Sequence, residues 1–147
     1  SLLAYQYGKS YTFSVLSLIY PSLDFRNIFH EDHIFPKSFF KRNKLLKVGV
    51  EDILVDEFLQ RFNRIGNLQL LEALPNIEKS DRPFDIWLNE TYDDAQIESY
   101  LDKHFMPKDV SRDFLNFIEF FNSRETLLKD QLKFILNVEE LKENIND

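Results

Sequence analysis

The chain has no cysteine and few residues that break helices. The absence of cysteine from its 147 residues excludes a disulfide framework and a thiolate zinc site, and it fits the reducing cytoplasm. Three glycines and five prolines favour long helices over a many-turned β-sandwich or barrel. No apolar run approaches the roughly 18 residues that a bilayer-spanning helix needs. We therefore expect a cytoplasmic protein with no membrane partner.

The composition is that of a folded chain. Hydrophobic residues make up 44% of the sequence and include 15 phenylalanines, which is enough apolar material for a core. The length suits about one domain, so we predict a single domain over residues 1–147. The chain starts at Ser1 rather than at methionine, and we expect it to be a carboxyl-terminal piece of a longer protein.

The charge is acidic overall but basic in one segment. A net charge of −7 argues against nucleic-acid binding, because phosphate contacts need lysine and arginine. No acidic residue lies between Asp32 and Glu51, however, and that segment contains five basic residues: Lys37, Lys41, Arg42, Lys44 and Lys47. Such a run is either a solvated helix face or a phosphate-binding surface, and the sequence leaves both interpretations open.

Apolar spacing and chain breakers predict the elements of the first half of the chain. We expect a helix at 11–20 ended by Pro21, a short strand at 32–35, a basic helical turn or two at 37–46 and a helix at 50–62.

The second half is predicted to be almost entirely helical. Gly66 and Asn67 indicate a turn before a brief strand at 68–71, and a helix should begin near Pro75. Further helices are expected near residues 83–90, 94–104 and 110–137. Apolar residues nearly encircle the last of these, which predicts burial on several sides, and the polar segment after Asn137 is expected to fray.

The most titratable stretch is His30-Glu31-Asp32-His33, inside the apolar segment "IFHEDHIFPKSFF" at 28–40. Adjacent residues on a strand face opposite ways. Alternation therefore places His30 and Asp32 on one side and His33 on the other. We expect the Asp32-His33 pair to lie at a strand end, where both side chains reach one site.

Three ordered blocks carry a resemblance to a known family. The runs "DHIFP" at 32–36, "IGNLQLL" at 65–71 and "NIEK" at 76–79 resemble the signature of HNH endonucleases. In that family an Asp-His pair, a loop Asn, and a His or Asn on the following helix form a ββα-metal core, also called a His-Me finger. "DHIFPKSFF" also resembles the HNH domain of RNA-guided CRISPR nucleases, and "GNLQLL" with His-x-x-Pro is similar, more narrowly, to the carboxyl-terminal nuclease domain of GmrSD-type modification-dependent restriction enzymes.

The resemblance implies a fold and a set of roles. The fold would be mainly α with a small ββα element, an α+β protein whose nuclease core at 24–81 lies between helical layers at 1–23 and 82–147. His33 would be the general base, a role that suits an imidazole near neutral pH. Asp32 and Asn76 would be ligands of one Mg²⁺ or Mn²⁺ ion.

Other residues have two interpretations each. Asn67 either braces the loop that carries the histidine or is an ordinary turn residue after a glycine. Lys79 shares a helix face with Asn76 and is either a phosphate contact or a solvated lysine. His30 would be a hydrogen-bonding partner of the site or an extra ligand, and Glu31 is expected at the surface. Contacts to DNA phosphates are expected from four further residues: Lys37, Lys41, Arg42 and Lys44.

The sequence departs from the family pattern in three ways. The 33 residues between His33 and Asn67 form a longer connection than in compact HNH domains and contain a predicted helix. The third block offers Asn76 instead of histidine, and a neutral oxygen ligand suits Mg²⁺ better than zinc. The cysteine pairs that bind zinc in many relatives are absent.

The first functional hypothesis is a metal-dependent DNA endonuclease domain acting in restriction or phage defence on DNA, with base-modified phage DNA implied by the narrower resemblance. Its partner would be an amino-terminal recognition or nucleotide-hydrolysing domain. The alternative is a nuclease-like helical module that does not cut and binds nucleic acid or protein. A third, purely structural hypothesis makes the histidines core residues and predicts that Asp32 and Asn76 lie far apart.

Overall fold

Helices dominate the structure. The computed structural model describes residues 5–9, 11–20, 24 and 26–146. In these ranges seven α-helices are present: α1 Thr12–Ile19, α2 Arg42–Lys47, α3 Asp52–Arg61, α4 Ala73–Lys79, α5 Phe84–Thr91, α6 Asp94–Lys103 and α7 Phe117–Asn146. Two strands, β1 Phe29–His33 and β2 Leu68–Glu72, complete the regular structure of this part of the chain, together with 3₁₀ turns at Lys37–Phe39, Ile65–Asn67 and Phe114–Asn116.

The two strands form a small antiparallel sheet that α4 covers. Phe29 pairs with Glu72 and His33 pairs with Leu68. Helix α4 starts at the residue after β2 and packs on both strands. Helices α2 and α3 occupy the long connection between the strands. The protein is therefore mainly helical with a strand-strand-helix element, as the α+β prediction expected.

Phenylalanines fill the main core. Phe35, two residues after β1, is buried, and its ring contacts the rings of Phe84, Phe117 and Phe120 from α5 and α7. Edge-to-face contacts of this kind add to the stabilisation that burial provides. A second apolar cluster joins α1, β2 and α7. The segment that carries the titratable residues is thus anchored at its carboxyl-terminal end by the core.

Most elements lie close to their predicted positions, but the first strand does not. Helix α1 confirms the helix predicted at 11–20, although Pro21 lies outside the described residues. The strand predicted at 32–35 is wrong in its bounds, since β1 ends at His33. The chain leaves the strand there because the amide of Phe35 bonds to the side chain of Asn67 and not to β2.

Two predicted helices also differ in detail. Ile53 has apolar spacing in α3 but is 81% exposed, whereas Val55 and Phe58 are the buried residues of that helix. Helix α7 begins at Phe117 after a 3₁₀ turn, not at residue 110. It does not fray after 137 but continues to Asn146, because no glycine or proline follows Pro107 to end it.

The long helix α7 is buried only along its first part. Phe117, Phe120 and Phe121 are buried, while Leu115 in the turn before it is 52% exposed. Phe117, Phe120 and Phe121 are three and four residues apart and so share one face of α7. The predicted burial on several sides is therefore wrong. None of the helices in the described ranges combines the length and apolar character needed to cross a membrane.

Gly66 is expected to be intolerant of any side chain. A Cβ at Gly66 would lie 2.5–2.8 Å from three ring atoms of Phe121, and forcing extra volume into a packed core costs about 1–3 kcal/mol. Gly66→Ala should lower the free energy of unfolding by that amount in urea titration. Phe121→Leu in the same chain should recover part of the loss, and strictly additive effects of the two substitutions would contradict this explanation.

Candidate functional site

Asp32, His33 and Asn76 line one cavity. Asp32 and His33 end β1 and are each 8% exposed, and Asn76 is half-buried on α4. The cavity has a volume of about 290 Å³, and its walls are Tyr7, Glu31, Asp32, His33, Pro36, Lys37, Ser38, Asn76, Ser80 and Asp81. The structure therefore brings together the three residues that the motif singled out. That both residues line one cavity argues against the hypothesis that Asp32 and Asn76 lie far apart.

The His33 ring is held in a defined orientation. Its Nε2 lies 2.8 Å from Oδ1 of Asn63, and an amide oxygen only accepts, so Nε2 carries the proton and donates. Nδ1 is then the nitrogen that can take up a proton. The Tyr7 ring lies 4.5 Å from the imidazole, centroid to centroid. Burial lowers the pKa of His33 below its ordinary value, which the hydrogen bond to Asn63 opposes, so the ring is neutral at pH 7 and fit to act as a base.

The Asp32 carboxylate is bound through one of its two oxygens. Gln69 lies opposite Asp32 in the strand pairing and donates from Nε2 to Oδ2 at 2.9 Å. Lys79 Nζ lies 3.1 Å from the same oxygen. Neither contact uses Oδ1, which accepts no hydrogen bond from the described part of the chain. Asp32 is therefore fixed in position with one oxygen left for a ligand.

Lys79 lies beneath the site and not at its surface. The side chain is 0% exposed, donates a 2.7 Å hydrogen bond to the carbonyl oxygen of His33, and lies 6.0 Å from the centroid of the Trp87 ring. Burial lowers its pKa, and the neighbouring Asp32 raises it. The prediction that Lys79 contacts phosphate is wrong, because the helix face it shares with Asn76 packs against β1.

Asn67 makes the bracing contacts expected of it. Its Oδ1 accepts from the amide of Phe35 at 2.9 Å, and its Nδ2 donates to the carbonyl oxygens of Phe35 at 3.1 Å and Phe62 at 2.8 Å. The side chain is 1% exposed. One amide group therefore ties the chain that follows His33 to the end of α3.

His30 and Glu31, which precede the Asp32-His33 pair on β1, both lie where the other was predicted, one at the surface and one at the site. His30 is exposed and does not line the cavity, so the structure does not support its proposed role as partner or extra ligand. Glu31, predicted at the surface, is half-buried, lines the cavity and accepts from the amide of Gly8 at 3.4 Å. Burial raises the pKa of Glu31. Strand alternation puts Glu31 on the same side of β1 as His33, and Glu31 reaches the cavity beside it.

Fewer side chains of the basic segment are free to bind phosphate than its sequence suggests. Lys37 and Lys41 are exposed, and Lys37 also lines the cavity. Arg42 forms ion pairs with Asp52 and Asp56 of α3. Lys44 donates to the carbonyl oxygen of Ser38 and keeps an exposed side chain. Of the five basic residues of this segment, only Lys37 lines the cavity.

The site offers a small number of oxygen ligands, the kind that a hard cation such as Mg²⁺ prefers. Within the described ranges no group of three or more His, Cys, Asp or Glu side chains is arranged to hold a metal ion. Asp32 and Asn76 supply a carboxylate and an amide oxygen on the same cavity wall. Mg²⁺ prefers oxygen ligands, keeps several waters and commonly binds through one or two protein groups plus substrate phosphate. These residues fit Mg²⁺ or Mn²⁺ and do not fit zinc.

Sequence reasoning missed a buried polar network behind the site. Tyr100 donates to Oε1 of Gln69, the residue that binds Asp32. Arg124 of α7 is buried and donates to backbone carbonyls around the turn that carries Asn67. A glutamine within the apolar run "LQLL" and an arginine in a phenylalanine-rich helix were the available signals. Nothing in the sequence distinguished Asn63.

His104, at the end of α6, is expected to make stability depend on pH. Its Nδ1 is hydrogen-bonded to the hydroxyl of Tyr20, 2.7 Å away. Burial, with help from Arg124, holds its pKa well below 6.5 in the folded state. Below about pH 6.5 the His104 imidazole binds a proton in the unfolded chain but stays neutral in the folded chain. The free energy of unfolding therefore falls as pH falls, by about 1 kcal/mol between pH 6.5 and 5.5.

His104→Gln should reduce this pH dependence. Comparing urea unfolding at pH 7.5 and 5.5 should show a smaller change for the variant than for the wild type, since glutamine does not titrate. An identical change in both proteins would show that His104 does not contribute.

No protein-family model matches the chain, and no curated protein matches it.

Proposed function

We propose that this chain is a metal-dependent DNA endonuclease domain of the HNH type, with a ββα-metal core made of β1, β2 and α4. The main support is that Asp32, His33 and Asn76, from the first and third blocks of the motif, line one cavity. The Asn67 contacts, from the second block, add to that support. We place this domain in restriction or phage defence on the resemblance to GmrSD-type enzymes.

Each residue of the site has a defined task in phosphodiester hydrolysis. His33 accepts the proton of the attacking water at Nδ1 as the oxygen of that water bonds to phosphorus and the bond to the leaving oxygen breaks. Lys37, exposed at the cavity wall, attracts the phosphate. Asp32 and Asn76 would hold a divalent cation, which when bound neutralises charge on the phosphate and the leaving oxygen. Asn67 keeps the histidine segment in place during the reaction.

A plasmid-nicking assay tests the proposal. The wild-type chain should convert supercoiled DNA to nicked or linear forms in Mg²⁺ or Mn²⁺ and should stop when EDTA is added. Running the assay on base-modified and unmodified plasmids asks which DNA is cut. Nicking that persists in EDTA would exclude the metal-dependent mechanism.

The second candidate function is a nuclease-like module that binds nucleic acid or protein without cutting. It is favoured by the ion pairs of Arg42 with Asp52 and Asp56, which reduce the basic surface, and by the net charge of −7. This candidate predicts DNA or protein binding that is indifferent to Mg²⁺, and no nicking under any metal condition.

A further inference from the structure

Lys79 is a fully buried lysine in contact with the proposed metal ligand. We propose that Lys79, by its positive charge beside Asp32, keeps the affinity of the site for a divalent cation low. The inference rests on the proposed function, because it concerns the cation that Asp32 and Asn76 would bind.

Among the described residues, Asp32 is the only carboxylate that forms an ion pair with Lys79. Its ammonium group lies 3.1 Å from Oδ2 of Asp32 and 2.7 Å from the carbonyl oxygen of His33. The side chain is 0% exposed, so water screens this charge poorly. One lysine therefore binds the side chain of the proposed ligand and the main chain of the proposed base.

The opposite charges of Asp32 and Lys79 cancel at this end of the site. Asp32 contributes −1 and Lys79 contributes +1, while Asn76 is neutral. The remaining carboxylates of the wall belong to Glu31, which is half-buried, and Asp81, which is exposed. A cation on Oδ1 of Asp32 would be attracted by the carboxylate and repelled by the ammonium group bound to the neighbouring oxygen. The DNA-free protein should then hold the cation only weakly, and a phosphodiester would add the missing negative charge.

The charge of Lys79 can be removed without freeing Asp32. Gln69 still donates to Oδ2 of Asp32 at 2.9 Å, and Tyr100 fixes Gln69. Methionine has a similar length to lysine and carries no charge. Lys79→Met therefore separates the electrostatic effect of Lys79 from the orientation of Asp32.

The test measures Mn²⁺ binding to DNA-free protein by electron paramagnetic resonance of the free ion. Lys79→Met should lower the dissociation constant for Mn²⁺ about tenfold or more, since a unit charge a few ångströms from a divalent ion is removed. Lys129→Met, which removes an exposed lysine from α7, should leave the constant unchanged. A role that is only structural predicts weaker binding in Lys79→Met, the opposite sign.

Two further variants, Lys79→Gln and Asp32→Asn, distinguish a failure of this inference from a failure of the proposed function. A folded Lys79→Met with unchanged or weaker Mn²⁺ affinity overturns the role of Lys79, and Lys79→Gln answers the same question if the methionine variant does not fold. Asp32→Asn should abolish the wild-type Mn²⁺ site. If Asp32→Asn binds Mn²⁺ as the wild type does, the proposed function fails together with this inference.

Discussion

The His33→Ala variant is expected to cut DNA about 10²–10⁴-fold more slowly than the wild type, which is the usual contribution of a general base. His33 is the only imidazole among the described residues that line the cavity; burial keeps it neutral at pH 7, and the bond to Asn63 fixes the orientation of its ring. Single-turnover nicking of a plasmid in Mg²⁺ measures the effect. Circular dichroism should show that the variant remains folded, because alanine removes only one hydrogen bond.

His30→Ala is the matched control. His30 lies three residues earlier on the same strand, is exposed and does not line the cavity. The account expects its nicking rate to stay within about twofold of the wild type, as for a surface substitution. A His33→Ala rate equal to that of His30→Ala would remove His33 from the mechanism.

The Arg124→Met variant is expected to lose about 3–5 kcal/mol of free energy of unfolding relative to the wild type. Arg124 donates five hydrogen bonds to the carbonyl oxygens of Ile65, Gly66, Leu68 and His104. Hydrogen bonds to a charged donor are worth more than neutral ones, and methionine would leave the buried carbonyls unpaired.

Urea unfolding measures this loss, and Arg112→Met is the control. Arg112 is only partly buried, so its replacement should cost less than about 0.5 kcal/mol. Since Arg124 supports the turn that carries Asn67, its variant should also nick DNA more slowly at temperatures where it is still folded. Equal stabilities of the two arginine variants would contradict the role assigned to Arg124.

Periodicity and the motif predicted the parts of the structure that depend on local sequence. The apolar spacing of residues 50–62 predicted the helix that α3 confirms, and Gly66-Asn67 indicated the turn before β2. The ββα order of the first, second and third blocks was likewise available from the chain alone.

The remaining features of the site depend on contacts between segments that are distant in the sequence. Lys79 has the spacing of a surface residue on α4, and only the approach of that helix to β1 buries it against Asp32. Glu31 and not His30 reaches the cavity, because helix α4 and the residues around Gly8 form that cavity on the Glu31 side of the strand. Asn63 became a partner of His33 because α3 ends beside the strand.

The most direct test of the account is a nuclear magnetic resonance titration of the wild-type chain with Mn²⁺. The paramagnetic ion should broaden the His33 ring signals and the Asn76 side-chain amide signals together, at the same metal concentration, and Asp32→Asn should abolish both effects. The signals of His30 should broaden much less, since that side chain lies outside the cavity. Sharp His33 and Asn76 signals at saturating Mn²⁺ would contradict the proposal of a metal-dependent nuclease site.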